Sequence, residues 1–486
     1  MPSAAVTRPF AVCAALALLA GCGGSGDSGG DGSGKSGRDA SASRAPDVVP
    51  TESRPPAPGR GSGDPDDING DGHRDLLMEV SGPDPGSRGG GASHVAVVFG
   101  TKRGPDPTVR SVYSSRELGL PAVEPPGTGA VLPETTADLD DDGFPDFIGV
   151  GGEEVPEEER GPTGSAQRRV EYVTWGGPNG PRRNAAATRL RLPAQDAAEG
   201  YEETVRGDFD GDGRHDLAGL RADGAAVVLL FGPFTREGAA ARTERRTLAQ
   251  AGPTSYGSLH ADELPTTGKP RPTGVFVHYG NDGEQSAGEY FAARPGGGLA
   301  ATSRTVRKGN GHAFGDFDGD GTRDLAVGDD GGRNDEPGAS KESADVHGSY
   351  AVYPGGDGAV RTYLPPEGAR EGSYTAVDPD GDGRDALLRG DPRTPALIEG
   401  DRRIGELVRR PPARVDGTRI PATNGSKQVH AAADFDGDGK DEVVLSWTST
   451  RLYGAYGATP THWWVTDGVS ATDDAAFSSR KFARRG

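Results

Sequence analysis

Along this chain the apolar residues fall in short runs separated by polar, glycine-rich stretches. LLMEV (76–80), FIGV (147–150), LAGL (217–220), LAV (325–327), LL (387–388) and VVLSW (443–447) each follow directly on an acidic loop. After a polar insertion comes a second run that ends in glycine: VAVVFG (95–100), YVTWGG (172–177), VVLLFG (227–232) and YAVYPGG (350–356). Runs of this length and composition, bounded by Gly and Pro, predict strands. The 79 glycines and 39 prolines oppose long helices. In a helix interior they cost about 1 and about 3 kcal/mol each.

The acidic loops repeat. They read DINGDGHRD (67–75), DLDDDGFPD (138–146), DFDGDGRHD (208–216), DFDGDGTRD (316–324), DPDGDGRDA (378–386) and DFDGDGKDE (434–442). Their starts are 71, 70, 108, 62 and 56 residues apart. The 108-residue gap is about twice the last interval, so it hides a seventh unit near Asp262, one without metal ligands. There SLHADELP precedes the strand-like GVFVHYG (274–280). A unit of about 60 residues holds about four strands with their loops. Radial repetition of four-stranded sheets makes a β-propeller. The expected fold is therefore all-β, a seven-bladed propeller over residues 64–486, with each acidic loop joining the first and second strands of a blade.

The loop spacing has a chemical reason. Calcium takes six to eight oxygens, and alternate carboxylates in a tight loop converge on one point. Positions one, three and five are Asp67, Asn69 and Asp71; Asp138, Asp140 and Asp142; Asp208, Asp210 and Asp212; Asp316, Asp318 and Asp320; Asp378, Asp380 and Asp382; Asp434, Asp436 and Asp438. Position nine closes the loop with Asp75, Asp146, Asp216, Asp324 or Glu442. Position seven offers a backbone carbonyl, from His73, Phe144, Arg214, Thr322 or Lys440. An EF-hand would need a bidentate Glu at position twelve; these loops have Met78, Gly149, Gly219, Val327, Arg389 and Leu445 there. The fifth loop is one residue short, with Asp385 at position eight and Ala386 at nine, so weak binding or shifted geometry is expected. Positions one, three, five and nine supply 22 carboxylates in a chain of net charge −20. Crowded carboxylates repel without a cation. Five to six structural Ca2+ sites are expected.

The repeats resemble FG-GAP repeats, the units of integrin α-subunit propellers, also known in bacteria as VCBS-type repeats. The resemblance rests on the DxDxDGxxD loop, the strand after it, and the FG or GG that ends the next strand. It implies the propeller fold with calcium in the loops. It leaves the activity open, because such folds serve adhesion, carbohydrate binding and some enzymes.

The first residues read as an address. Arg8 precedes an apolar run (10–20) too short to span a membrane, which fits a signal peptide over residues 1–21. LAGC (19–22) resembles the lipobox of bacterial lipoproteins and implies lipid on Cys22 and anchoring to the outer face of the cytoplasmic membrane. Only Cys13 and Cys22 are present, so the exported domain would have no disulfide. Residues 22–63, rich in Gly, Ser and Pro, are expected to form a flexible tether. GDSGG (26–30) and GGDGSGKS (29–36) match protease and phosphate-loop patterns. They lack the strand, helix and catalytic partners those sites require.

The function expected is a lipid-anchored, extracytoplasmic, calcium-binding module for adhesion to a protein or cell-envelope glycan. Its alternatives are a lyase-like carbohydrate-active enzyme on a propeller and a structural subunit of a surface complex. No nucleophile–base constellation stands out, and the acidic charge argues against nucleic acid. Loops between second and third strands (81–93, 151–169, 329–347) would lie on the face opposite the calcium loops, where a partner is expected. Trp463 and Trp464 are weighed as a sugar platform against core filling. Arg206-Gly207-Asp208 spells an adhesion tripeptide, but Asp208 would face metal; Arg389-Gly390-Asp391 repeats it.

Overall fold

The computed structural model describes residue 50 and residues 52–483, apart from 84–90, 123–132, 158–166, 198–199, 250–255, 267, 281–284, 295, 334–345, 357, 368–369, 392, 416–417, 422–426 and 449–460. The signal peptide, Cys22, both tether motifs and the middles of the three long loops lie outside the described residues.

The chain forms seven antiparallel sheets arranged as a propeller, and no element among the described residues is helical. Blade one has three strands, Leu76–Pro83, Gly91–Val98 and Arg110–Tyr113. Blade two has Thr135–Ala137, Asp146–Glu154, Gln167–Thr174 and Thr188–Arg189. Blade three has Tyr201–Gly207, Asp216–Arg221, Ala226–Phe231 and Arg242–Thr247. Blade four, at the place of the 108-residue gap, has Tyr256–Ala261, Val275–Gly280, Gly288–Phe291 and Arg304–Val306. Blade five has Gly311–Gly315, Asp324–Gly328, Tyr350–Tyr353 and Arg361–Tyr363. Blade six has Ser373–Val377, Ala386–Gly390, Ala396–Glu399 and Arg402–Glu406. Blade seven has Gln428–Ala433, Glu442–Trp447, His462–Thr466 and Asp473–Ser478. A small hairpin, Arg414–Val415 with Thr418–Arg419, precedes it.

Middle strands are buried on both faces, because each blade is covered by its two neighbours. Ala226–Phe231 and Glu442–Trp447 are buried at every residue. This is why the sequence shows unbroken apolar runs there rather than alternation. Outer strands such as Arg242–Thr247 are half solvated and polar.

Blade one departs from the rest because no strand among the described residues precedes its loop. The chain instead crosses from the rim: Arg54 bridges to Val109, Gly59 donates to Asn69 O (3.0 Å), and Ser62 donates to Gly143 O (2.9 Å). Residues 52–63 therefore pack on the propeller, and the folded body begins well before position 64. Ring closure is by side chains. Met78, Val80 and Val98 of blade one share a core with Val444, Trp463, Val465 and Phe477 of blade seven, and Arg110 lies 4.2 Å over the Phe482 ring.

Both tryptophans of the WW pair are fully buried. Trp463 faces the blade-one seam and Trp464 the blade-six seam, so neither serves as a sugar platform. Arg206 pairs with Asp66 through two bonds of 2.7 Å, and Arg389 is fully buried, so neither tripeptide is displayed.

Glu171, in the third strand of blade two, is buried, and neither carboxylate oxygen meets a hydrogen-bond donor among the described residues. Burial pushes its pKa up to about 7, against the pull of Arg169 and Arg189. The folded state therefore holds a proton that the unfolded state releases near pH 4.5. Stability is full below that pH and is lost as pH rises towards 7, at up to about 1.4 kcal/mol per pH unit. Glu171→Gln should lessen the fall of the melting temperature between pH 5 and 7 and raise it at pH 7.5 relative to the parent; thermal melts across that range check this.

Candidate metal-binding loops

Each loop is built by backbone geometry first. Positions four and six take left-handed φ values, for example Gly211 (78°) and Gly213 (88°), Gly319 (77°) and Gly321 (81°). Glycine adopts these without steric cost. The second loop carries Asp141 at position four with φ 61° instead. The turn so formed points backbone N–H groups inward. Gly211, Asp212 and Gly213 donate to the Asp208 carboxylate at 2.7, 3.1 and 2.9 Å. Asp212 in turn accepts from Arg214 N at 2.9 Å, fixing position seven.

Position nine serves as a clasp. The Asp216 carboxylate accepts from Phe209 N (2.7 Å) on one oxygen and from Gly232 N (2.8 Å) on the other. The same pair of bonds recurs at Asp75 with Ile68 and Gly100, and at Asp146 with Leu139 and Gly176. It recurs again at Asp324 with Phe317 and Gly355, and more loosely at Glu442 with Phe435 and Gly468. The glycine that ends the third-strand run is thus tied to the loop. A Cβ at Gly232 would lie 2.5 Å from His215 O, and one at Gly355 2.2 Å from Arg323 O.

Carboxylates converge as the spacing anticipates. Oxygens of Asp138, Asp140 and Asp146 lie within 4.8 Å of one another, as do those of Asp208, Asp210 and Asp212. So do those of Asp316, Asp318 and Asp320, of Asp378, Asp380 and Asp382, and of Asp434, Asp436 and Glu442. These groups could hold a metal ion. Asp216 and Asp324 lie outside their loops' groups, and so do Asp142 and Asp438. The first loop has Asn69 at position three, and its Asp67, Asp71 and Asp75 do not form such a group.

Three position-three oxygens are buried and accept no hydrogen bond from any described residue: Asn69 Oδ1, Asp140 Oδ1 and Asp318 Oδ1. Their other atoms are held from outside. Asn69 Nδ2 donates to Ala57 O (2.7 Å) and also to Asp71 Oδ2 of its own loop (3.0 Å), Asp140 Oδ2 pairs with Arg236, and Asp318 Oδ2 lies 3.6 Å from Arg361. Arg242 holds Asp210 in the same manner. A buried acceptor without a donor is costly, and a cation at the loop centre relieves it. Burial, with the neighbouring carboxylates, pushes Asp146, Asp216 and Glu442 up to about 8 and Asp138 and Asp208 up to about 6.

Position eight joins the blades. His215 Nδ1 accepts from Asp138 N (2.8 Å), Asp385 Oδ2 from Asp316 N (2.6 Å), and Asp441 Oδ2 from Asp378 N (2.8 Å). Blade four uses Thr273, whose Oγ1 accepts from Asp208 N at 2.9 Å. Each reaches back to position one of the preceding blade. Asp385 is therefore a seam residue, not a displaced ligand of its own loop, and it also pairs with Arg323 at 2.7 Å. In blade four arginine stands where the others have an acidic loop: Asp262 pairs with Arg271 and Arg323.

Sequence reading missed these arginines and one further cluster. His260, His278 and His312, far apart in sequence, meet at the seam of blades four and five, with ring centroids 3.8 Å (260–312) and 5.9 Å (278–312) apart. Burial pushes His312 down to about 3 and His260 well below its usual value. They are not among the groups that could hold a metal.

No family model matches the chain. No curated protein matches it either. Among solved structures it is similar to the Dos1 propeller, with 8% identity over 71% of this chain and 75% of that one, TM-score 0.34. It is also similar to the Bacillus licheniformis rhamnogalacturonan lyase PL11 (13%, 83% and 74%, TM-score 0.33). The V. cholerae biofilm matrix protein Bap1 matches at 11% identity, over 88% and 98%, with TM-score 0.28. Scores this low carry no argument about function.

Asp385→Ala should cost about 2–4 kcal/mol, because Arg323 and Asp316 N lose a buried partner. Urea denaturation measures that cost. Metal titration should find the Asp378–Asp382 loop unchanged, whereas loss of metal there would mark Asp385 as a ligand.

Proposed function

We propose that this chain is a calcium-braced binding module of the FG-GAP type, held on the outer face of a bacterial cytoplasmic membrane by lipid on Cys22. The observation that carries the metal is the set of buried, unpartnered oxygens of Asn69, Asp140 and Asp318. All donors in the loops are oxygens, which suits a hard cation, and the loop size suits calcium over magnesium. Asp67, Asp71 and Asp75 would complete the first site around Asn69. In the other loops the grouped carboxylates would hold the ion, with a position-seven carbonyl.

Calcium would neutralise the crowded carboxylates and brace the hairpin of strands one and two. No disulfide is available to the exported domain for that purpose. The glycine clasp supports the FG-GAP reading, because it gives the FG and GG endings a structural reason. Binding is favoured over catalysis, since the polar clusters described above are committed to loops and seams. The face opposite the calcium loops is the proposed meeting place for a protein or envelope glycan.

Chelation tests the metal. At a hundredfold excess over Kd each calcium stabilises by about 2.7 kcal/mol. A chelator should lower the melting temperature by several degrees and added calcium should restore it. An unmoved melting curve removes the structural calcium.

A further inference from the structure

The four large apolar side chains exposed among the described residues are Val360, Leu364, Ile404 and Val408. All lie on or beside the outermost strands of blades five and six. Monomeric surfaces scatter such residues, so their confinement to one sector marks it. Residues 384–419, the blade-six part of this sector, hold nine arginines against six acids, with Arg389 and Arg409 buried.

Between these two blades lies a cleft of about 290 Å³. Its floor is apolar, formed by Val352, Leu387 and Ile398. One wall is the Tyr363 ring, stacked on Tyr350 at 5.2 Å and 29°. Tyr350 is itself fixed, because its hydroxyl donates to Gly400 O at 2.7 Å. Gly400 lies beside one edge of the Tyr363 ring, where a Cβ would be 3.0 Å from Cε1. Tyr363 is thus a held platform, half-buried and open to the cleft.

The lining carries Arg361, Arg384 and Arg402 beside Asp318, Asp385 and Glu399, and Asp385 is taken by Arg323. Arg402 pairs with Glu399 at 2.6 Å, and Arg361 leans on Asp318. Arg384 makes no ion pair with any described residue; its Nε donates to Phe317 O at 3.2 Å. Guanidinium matches a carboxylate in plane and by two bonds. An aromatic platform beside it suits the C–H face of a sugar ring. The cleft is too small for a folded partner and large enough for a sugar unit.

We propose that this cleft binds a uronic-acid unit of an acidic polysaccharide, with its ring on Tyr363 and its carboxylate on Arg384, flanked by Arg361 and Arg402. The inference rests on the reading of the chain as a binding module and adds its ligand class. Asp318 and Arg384 belong to acidic loops, whereas Tyr350 and Tyr363 pair at the strand ends away from them, so the cleft's lining runs from the acidic loops along the blade edge.

The test is calorimetric titration of the full chain with a short oligogalacturonate, in calcium and in chelator. A neutral malto-oligosaccharide and oligothymidylate serve as controls. Oligogalacturonate should bind and both controls should not. Arg384→Ala and Tyr363→Ala should each weaken binding by about tenfold or more. Arg384 is exposed, so its variant should melt as the parent does and decides the matter if Tyr363→Ala unfolds. Equal binding of the neutral sugar, stronger binding of oligothymidylate, or Arg384→Ala binding like the parent would each overturn the proposal. Failure of oligogalacturonate alongside specific capture of an envelope component would remove the cleft and leave the binding module standing.

Discussion

Two hydrogen bonds to one buried carboxylate organise this molecule. At position nine of five loops, one oxygen takes the N–H of position two and the other takes the N–H of the glycine beyond strand three. Loop, second strand and third strand become a single unit, and the arrangement recurs around the ring. The glycine follows from it, since the position-eight carbonyl leaves no room for a side chain at Gly100, Gly176, Gly232 or Gly355. Blade six has Ala386 at position nine and so lacks this carboxylate.

A second relation links the units. The position-eight residue, His215, Asp385 or Asp441, or Thr273 in blade four, receives the backbone N–H of position one in the blade before. That position-one residue also gathers the loop's inward N–H groups. Ion binding and blade packing therefore meet on the same short stretch of backbone. Arg236, Arg242 and Arg361 add a third layer by holding the outer oxygen of position three.

Much of this was legible in the sequence because burial on two faces writes continuous apolar runs. Strands two and three are such strands, and the acidic loops announce themselves by spacing. Strands one and four were silent, because they are short and half solvated, as Arg361–Tyr363 shows. Asp385 looked like a displaced ligand, since spacing alone does not say that it faces the neighbouring blade. The rim segment 52–63 read as tether because Pro and Gly carry its contacts through backbone atoms. His260, His278 and His312 have no common spacing and meet only through the ring.

The absence of a strand before the first loop has a mechanical side. Among the described residues no strand is shared between the first and last blades, so the ring is shut by side chains, through packing and a 3.0 Å hydrogen bond between His430 Nε2 and Leu77 O. The segment entering at Arg54 lies on the rim of blade one, and the last strand, Asp473–Ser478, is the rim of blade seven. Tension between the two ends of the chain would load that one seam before any other. The ring would part there like a clasped bracelet, with the remaining blades still joined in an arc.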